Sequence, residues 1–224
     1  MRERIRNLSS RAEFFLIITL CFGYFIGSSL TVLLRHIHTF ELSTFRVMRG
    51  IATEIAILAV TGWILHIRGW RLSRLSKRIS WRGVLAGVPL VVAYFLLYLV
   101  TGIALVLAYP PASRLATMRM IPSAPAALLL VFIVVNSVFE EVTVSGYVVT
   151  ALSEHGPALS ITASTLLRFL YHLYQGPIAC ISILPLGLLF GAVYWRWKNL
   201  WPLGVAHTIA NIVALVVAAH QAGA

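Results

Sequence analysis

Glu140 and Glu141 stand side by side inside an apolar stretch that runs from about Pro125 to Leu152. An ionised side chain at bilayer depth costs from a few kcal/mol upward, so acids placed there mark candidate functional sites. The other polar groups in apolar surroundings form a short set: Asn136 and Ser145 on the same stretch, Arg168 and His172 on a later one, His207 and Asn211 near the C-terminus. The pairs Asn136/Glu140, Arg168/His172 and His207/Asn211 each have i,i+4 spacing. On a helix this stacks both members on one face, about 6 Å apart along the axis. Adjacent Glu140 and Glu141 point about 100° apart, so one is free to face a site while the other braces the bundle.

A carboxylate, two imidazoles and an amide around one cavity suit water-driven hydrolysis of an amide bond. The carboxylate takes a proton from water, and a neutral His orients that water or protonates the leaving amine. Asn211 and one imidazole N–H suit donation to a developing oxyanion. Each pair read alone also suits plain interhelical hydrogen bonding, worth about 1 kcal/mol in a membrane. The case for chemistry rests on their combination.

The elements that must position these groups are membrane helices. Of 224 residues, 59% are hydrophobic and 11% charged, against about 25% charged in a soluble domain; the mean hydropathy is +0.88. The expected fold is all-α, a polytopic transmembrane bundle of about seven helices near 14–34, 45–66, 83–108, 125–151, 158–175, 177–195 and 201–219. It reads as a single membrane-embedded domain over 1–224, with the motif-bearing core at about 125–219. The run Phe14–Leu34 is too long for a signal-peptide core and reads as a retained first helix.

The net charge of +11 does not indicate nucleic acid, because no soluble domain remains to bind it. The basic residues fall in the inter-helix segments. Arg68, Arg71, Arg74, Lys77, Arg78 and Arg82 mark one loop as cytoplasmic, together with the N-terminus (Arg2, Arg4, Arg6, Arg11), Arg196 and Lys198; Arg35, Arg46, Arg49, Arg114 and Arg119 fall outside. The expectation is an integral, multi-pass protein of the plasma (cytoplasmic) membrane with its N-terminus cytoplasmic, in contact with membrane lipids. Cys21 and Cys180 both lie in apolar runs, which disfavours a disulfide framework. Glu54, in the second span, reads as structural or as a partner of Arg49 or Arg46. If every span crossed fully, His172 and His207 would lie at opposite ends of their helices. The polar start of the fifth span (Ser153, Glu154, His155, Ser160, Thr162, Ser164, Thr165) instead suits a helix that enters only partway, with Tyr174-Gln175-Gly176-Pro177 turning in a protein-lined cavity.

Three ordered motifs resemble those of the CPBP intramembrane proteases, which include the prenyl-protein CAAX endopeptidases related to Ras-converting enzyme and the bacterial Abi-type membrane proteins. The family pattern is Glu-Glu-x-x-x-Arg, Phe-x-x-x-His and His-x-x-x-Asn/Asp on three helices. Here the motifs read Glu140-Glu141-Val-Thr-Val-Ser145, Arg168-Phe-Leu-Tyr-His172 and His207-Thr-Ile-Ala-Asn211. The resemblance spans Asn136 to Asn211. It implies an endopeptidase acting on a membrane-associated peptide or protein, including prenylated CAAX-type tails. By position it implies that Glu140 activates water with His172, and that His207 and Asn211 stabilise the oxyanion, with Glu141 beside them. Asn136, Arg168 and Ser145 are the supporting positions. Two departures stand out: Ser145 replaces the motif Arg, and Arg168 takes the motif Phe position. Arg168, the one Lys or Arg within the motif-bearing spans, is expected to supply the missing charge balance to Glu140 or Glu141. The family has been described both as metalloproteases and as metal-free glutamate proteases. The sequence lacks HExxH, so the expectation is that no cofactor is required, with a divalent metal left open. The alternative class, favoured by Ser145, is a catalytically silent membrane binding, immunity or scaffold protein. A transporter with a protonatable Glu pair ranks third, since no inverted repeat is evident.

Overall fold

The computed structural model describes residues 2–111 and 118–222, so Arg114 lies outside the described residues. In chain order the helices are α1 (Arg2–Arg6), α2 (Ser10–Leu34), α3 (Thr44–Ile67), α4 (Leu72–Leu75), α5 (Trp81–Leu85), α6 (Gly87–Ala108), α7 (Ala126–Glu140), α8 (Val149–Ala151), α9 (Gly156–His172), α10 (Pro177–Trp197) and α11 (Trp201–Ala222). A π-helical segment, Glu141–Val148, joins α7 to α8. Among the described residues, six helices are long and apolar enough to cross a membrane: α2, α3, α5 running into α6, α7 through α8, α10 and α11. The chain is an all-α, multi-pass membrane protein.

The expected fifth span is present as α9, but not as a helix of that kind. Its 17 residues extend about 25 Å and place Ser160, Ser164, Thr165 and Arg168 against the bundle, while Leu159, Leu166 and Leu170 point outward. This is the amphipathic pattern of a soluble helix turned inside out, as expected where the exterior is lipid and the interior holds polar chemistry. The same inversion shows on α6, whose Val92, Leu96, Leu99, Val100, Ile103 and Leu107 are exposed.

Local chemistry fixes the helix ends near the site. Pro157 and Pro177 stand in the first turns of α9 and α10, where the missing N–H costs nothing. Gly176, at φ 94°, makes the reversal between them, a backbone state that other residues rarely adopt. Here α9 ends at His172 and passes through a short 3₁₀ turn, Leu173–Gln175. Tyr174 N–H donates to Ser29 Oγ at 2.8 Å, anchoring the turn to α2. α10 then returns in close contact with α9. A Cβ at Gly187 would lie 2.8 Å from Thr165 Cγ2 and 3.0 Å from Thr165 Cα, so only glycine lets α9 sit this deep.

One feature outside the all-α expectation is a two-stranded parallel ribbon. β1 (Thr39–Leu42) pairs with β2 (Arg119–Pro122) in the register Thr39↔Arg119 to Leu42↔Pro122. It links the α2–α3 connection to the segment before α7. Its Phe40, Leu42 and Met120 form part of a cavity wall.

Candidate active site

α7, α9 and α11 bring the three motifs together around one buried guanidinium. Arg168, 1% exposed, reaches from α9 with Nη1 donating to Glu140 Oε2 at 3.1 Å and Nη2 donating to Glu141 Oε1 at 2.9 Å. Its guanidinium also lies over the Phe190 ring, 5.7 Å from the centroid. Two adjacent buried carboxylates would repel each other and pay heavily for lost solvation; a single fork-shaped cation between them offsets both costs.

The two acids then diverge, as the turn of a helix requires. Glu141 is 1% exposed and fully engaged: Oε1 also accepts from His207 Nδ1 at 2.7 Å, and Oε2 from Ser145 Oγ at 2.5 Å. Glu140 lies on the wall of a cavity of about 390 Å³. Its Oε2 accepts from Arg168 and from Tyr171 Oη, while His207 Nε2 stands 3.9 Å from it. Among the described residues its Oε1 makes no hydrogen bond and is the oxygen left for a water or a substrate.

His172, His207 and Asn211 line the same cavity as Glu140, as expected for a fifth helix that does not cross fully. His172 Nδ1 is 2.8 Å from Arg168 O. A carbonyl oxygen only accepts, so Nδ1 carries the proton and Nε2 is the basic nitrogen. By the same reasoning His207 Nδ1 donates to Glu141. The imidazoles are thereby oriented by a backbone carbonyl and a carboxylate, the usual way a ring tautomer is fixed.

Glu141 and Ser145, four residues apart, both stand on the π-helical segment. Thr143 Oγ1 donates to Phe139 O at 2.6 Å, competing with the backbone ladder where the helix widens. Such segments recur at functional sites. The segment is held from behind by Tyr147, whose Oη donates to Glu13 Oε1 at 3.2 Å; Glu13 also accepts from Trp70 Nε1 at 3.1 Å and, through Oε2, from Arg68 Nε at 2.6 Å.

The remaining expected residue, Asn136, serves a different acid. Its Nδ2 donates to Glu54 Oε1 at 2.9 Å, so Glu54 pairs with neither Arg49 nor Arg46. Arg46 donates to Glu41 O and lies over Phe40, and Arg49 lies over Phe45, because both stand on the exposed first turns of α3 while Glu54 is deep in the bundle. The sequence reading also missed Tyr171, whose signal was its i,i+3 spacing from Arg168 on the buried face of α9.

Among the described residues, no group of three or more His, Cys, Asp and Glu side chains is disposed to hold a metal ion. Both oxygens of Glu141 and Oε2 of Glu140 are engaged by Arg168, Ser145, Tyr171 and His207, which leaves Glu140 Oε1.

The multi-pass helical bundle thus encloses a carboxylate, two histidines and an asparagine on one cavity. Residues 122–213 match the family described as type II CAAX prenyl endopeptidase Rce1-like. This match agrees with the resemblance of the motif-bearing segment to the CPBP/CAAX proteases. No curated protein and no solved structure matches the chain.

Proposed function

We propose that the protein is an intramembrane endopeptidase that hydrolyses a peptide bond of a membrane-associated substrate, prenylated CAAX-type tails included, without a metal. The observation that carries this reading is the asymmetry of the two acids: Glu141 is spent on Arg168, Ser145 and His207, whereas Glu140 keeps one carboxylate oxygen on the cavity.

Glu140 takes a proton from a water held between its Oε1 and His172 Nε2, and the hydroxide adds to the carbonyl carbon. Charge gathers on the carbonyl oxygen, where Asn211 Nδ2 and His207 Nε2–H donate. In that step the His207 ring carries both protons, with Nδ1–H held by Glu141. The tetrahedral intermediate collapses as the proton taken from water passes to the leaving nitrogen. Arg168 and Ser145 act through the carboxylates and are positioning residues. The cation that the family pattern places at the position of Ser145 is supplied here by Arg168 from the neighbouring helix. Enclosure by the bundle keeps bulk water from screening these donors.

The test is purified protein in bilayers with a panel of quenched membrane peptides, before and after treatment with a chelator. Cleavage at the same rate in both conditions is the expected result. Loss of cleavage on chelation, restored by added zinc, would overturn the metal-free chemistry. Absence of cleavage by folded protein would favour the silent binding, immunity or scaffold reading that Ser145 in motif one suggests.

A further inference from the structure

Beside Glu140, the described wall of the cavity carries a second carboxylate, Glu54. It is 2% exposed, its Oε1 is held by the neutral amide of Asn136, and its Oε2 has no hydrogen-bond partner among the described residues. The contrast with the other buried acids is informative. Glu140 and Glu141 share Arg168, and Glu13 has Arg68, but Glu54 lines the cavity with no cation partner among the described residues. A buried carboxylate in this state carries a large solvation cost, which a proton or a donor from outside the chain offsets.

Arg49 and Arg46 lie on the same helix toward the β ribbon, about 7 and 12 Å further along the axis, and both line the cavity. Their guanidinium groups oppose entry of a small free cation. A cation delivered on a peptide, bound through the rest of its chain, overcomes that opposition. Asn136 precedes Glu140 by one helical turn, about 6 Å along the axis. An extended chain advances about 3.3 Å per residue, so a group meeting Glu54 belongs within about two residues of a bond held at Glu140.

We propose that Glu54, held by Asn136, is a specificity residue whose carboxylate receives the ammonium or guanidinium of a basic side chain within about two residues of the scissile bond. This subsite rests on the peptidase reading above. It makes the preferred substrate a membrane-associated peptide with one basic residue beside the cleavage position, rather than a uniformly apolar one.

The test is a scan of one lysine through the positions flanking the cleavage site, each compared with norleucine, which keeps the stem and removes the charge. The wild-type protein is expected to show at least a tenfold higher kcat/KM for lysine at one position within two residues of the bond. In Glu54→Gln that ratio falls toward one. Equal handling of lysine and norleucine by the wild type, or an unchanged preference in Glu54→Gln, would overturn the subsite; the first comparison needs no variant and so does not depend on how Glu54→Gln folds. If no peptide is cleaved, binding of the same peptides to Glu140→Gln decides the matter separately. A lysine preference there upholds the subsite while the peptidase reading falls, and equal binding removes the subsite.

Discussion

Glu140→Gln lowers kcat by about 10³–10⁴-fold while the protein still folds. The side chain keeps its shape, and its amide oxygen still accepts from Arg168 and Tyr171, whose hydrogen bonds reach Glu140 Oε2 in the native site. What disappears is the capacity of the cavity-facing atom to take a proton from water, and a positioned general base contributes about 10²–10⁴-fold. The upper part of that range applies because no other carboxylate among the described residues is positioned to substitute: Glu141 is fully engaged and does not reach the cavity, and Glu54 is bound to Asn136 one turn away. The loss falls on kcat more than on KM, because proton abstraction belongs to the transition state rather than to binding. Steady-state kinetics with a melting curve for each protein checks it. A loss of tenfold or less, with both proteins equally folded, would remove Glu140 from its assigned role.

Arg168→Gln is the substitution with the largest effect on stability. The guanidinium is 1% exposed and is the bond between two adjacent acids on α7 and the π-helical segment. Without it two carboxylates remain side by side in a dry interior, and breaking a buried pair in this way costs about 3–5 kcal/mol. For a chain of this size that corresponds to a melting temperature lower by roughly 10 °C. Cleavage is lost as well, because Glu140 no longer has a fixed direction. Adding Glu141→Gln to Arg168→Gln restores part of the stability, since one of the two adjacent acids is then neutral; residues in one buried network are not additive. Differential scanning fluorimetry of the two single variants and the double variant measures this. A single variant that melts and cleaves like the wild type would show that Arg168 does not balance the pair.

The sequence made the helical membrane bundle and the positions of its polar groups readable because intramembrane polar residues are rare and each therefore carries information. Glu140, His172, His207 and Asn211 meet at one cavity for that reason. That α9 is no uniformly apolar span was also legible, from the polar residues between Ser153 and Thr165. Other features depended on contacts between distant segments. The bond from Asn136 to Glu54 joins residues 82 apart in sequence, and spacing along one helix suggested Glu140 as the nearer partner. The π-helical widening at Glu141–Val148 arises from Thr143, Ser145 and the packing of Tyr147 against Glu13, none of which has a periodic signature. The β ribbon pairs two four-residue strands that apolar-run analysis passes over. Tyr171 was hidden by its aromatic character, since tyrosine in a span reads first as packing.

The most direct test of the account is hydrolysis in water enriched in ¹⁸O. Purified wild-type protein in bilayers, with chelator present, is given a membrane peptide that it binds, and the products are weighed by mass spectrometry. The account predicts two fragments, with one ¹⁸O in the newly formed carboxylate and none elsewhere, and no such fragments from Glu140→Gln. Intact peptide recovered from folded, peptide-bound wild-type protein would contradict it.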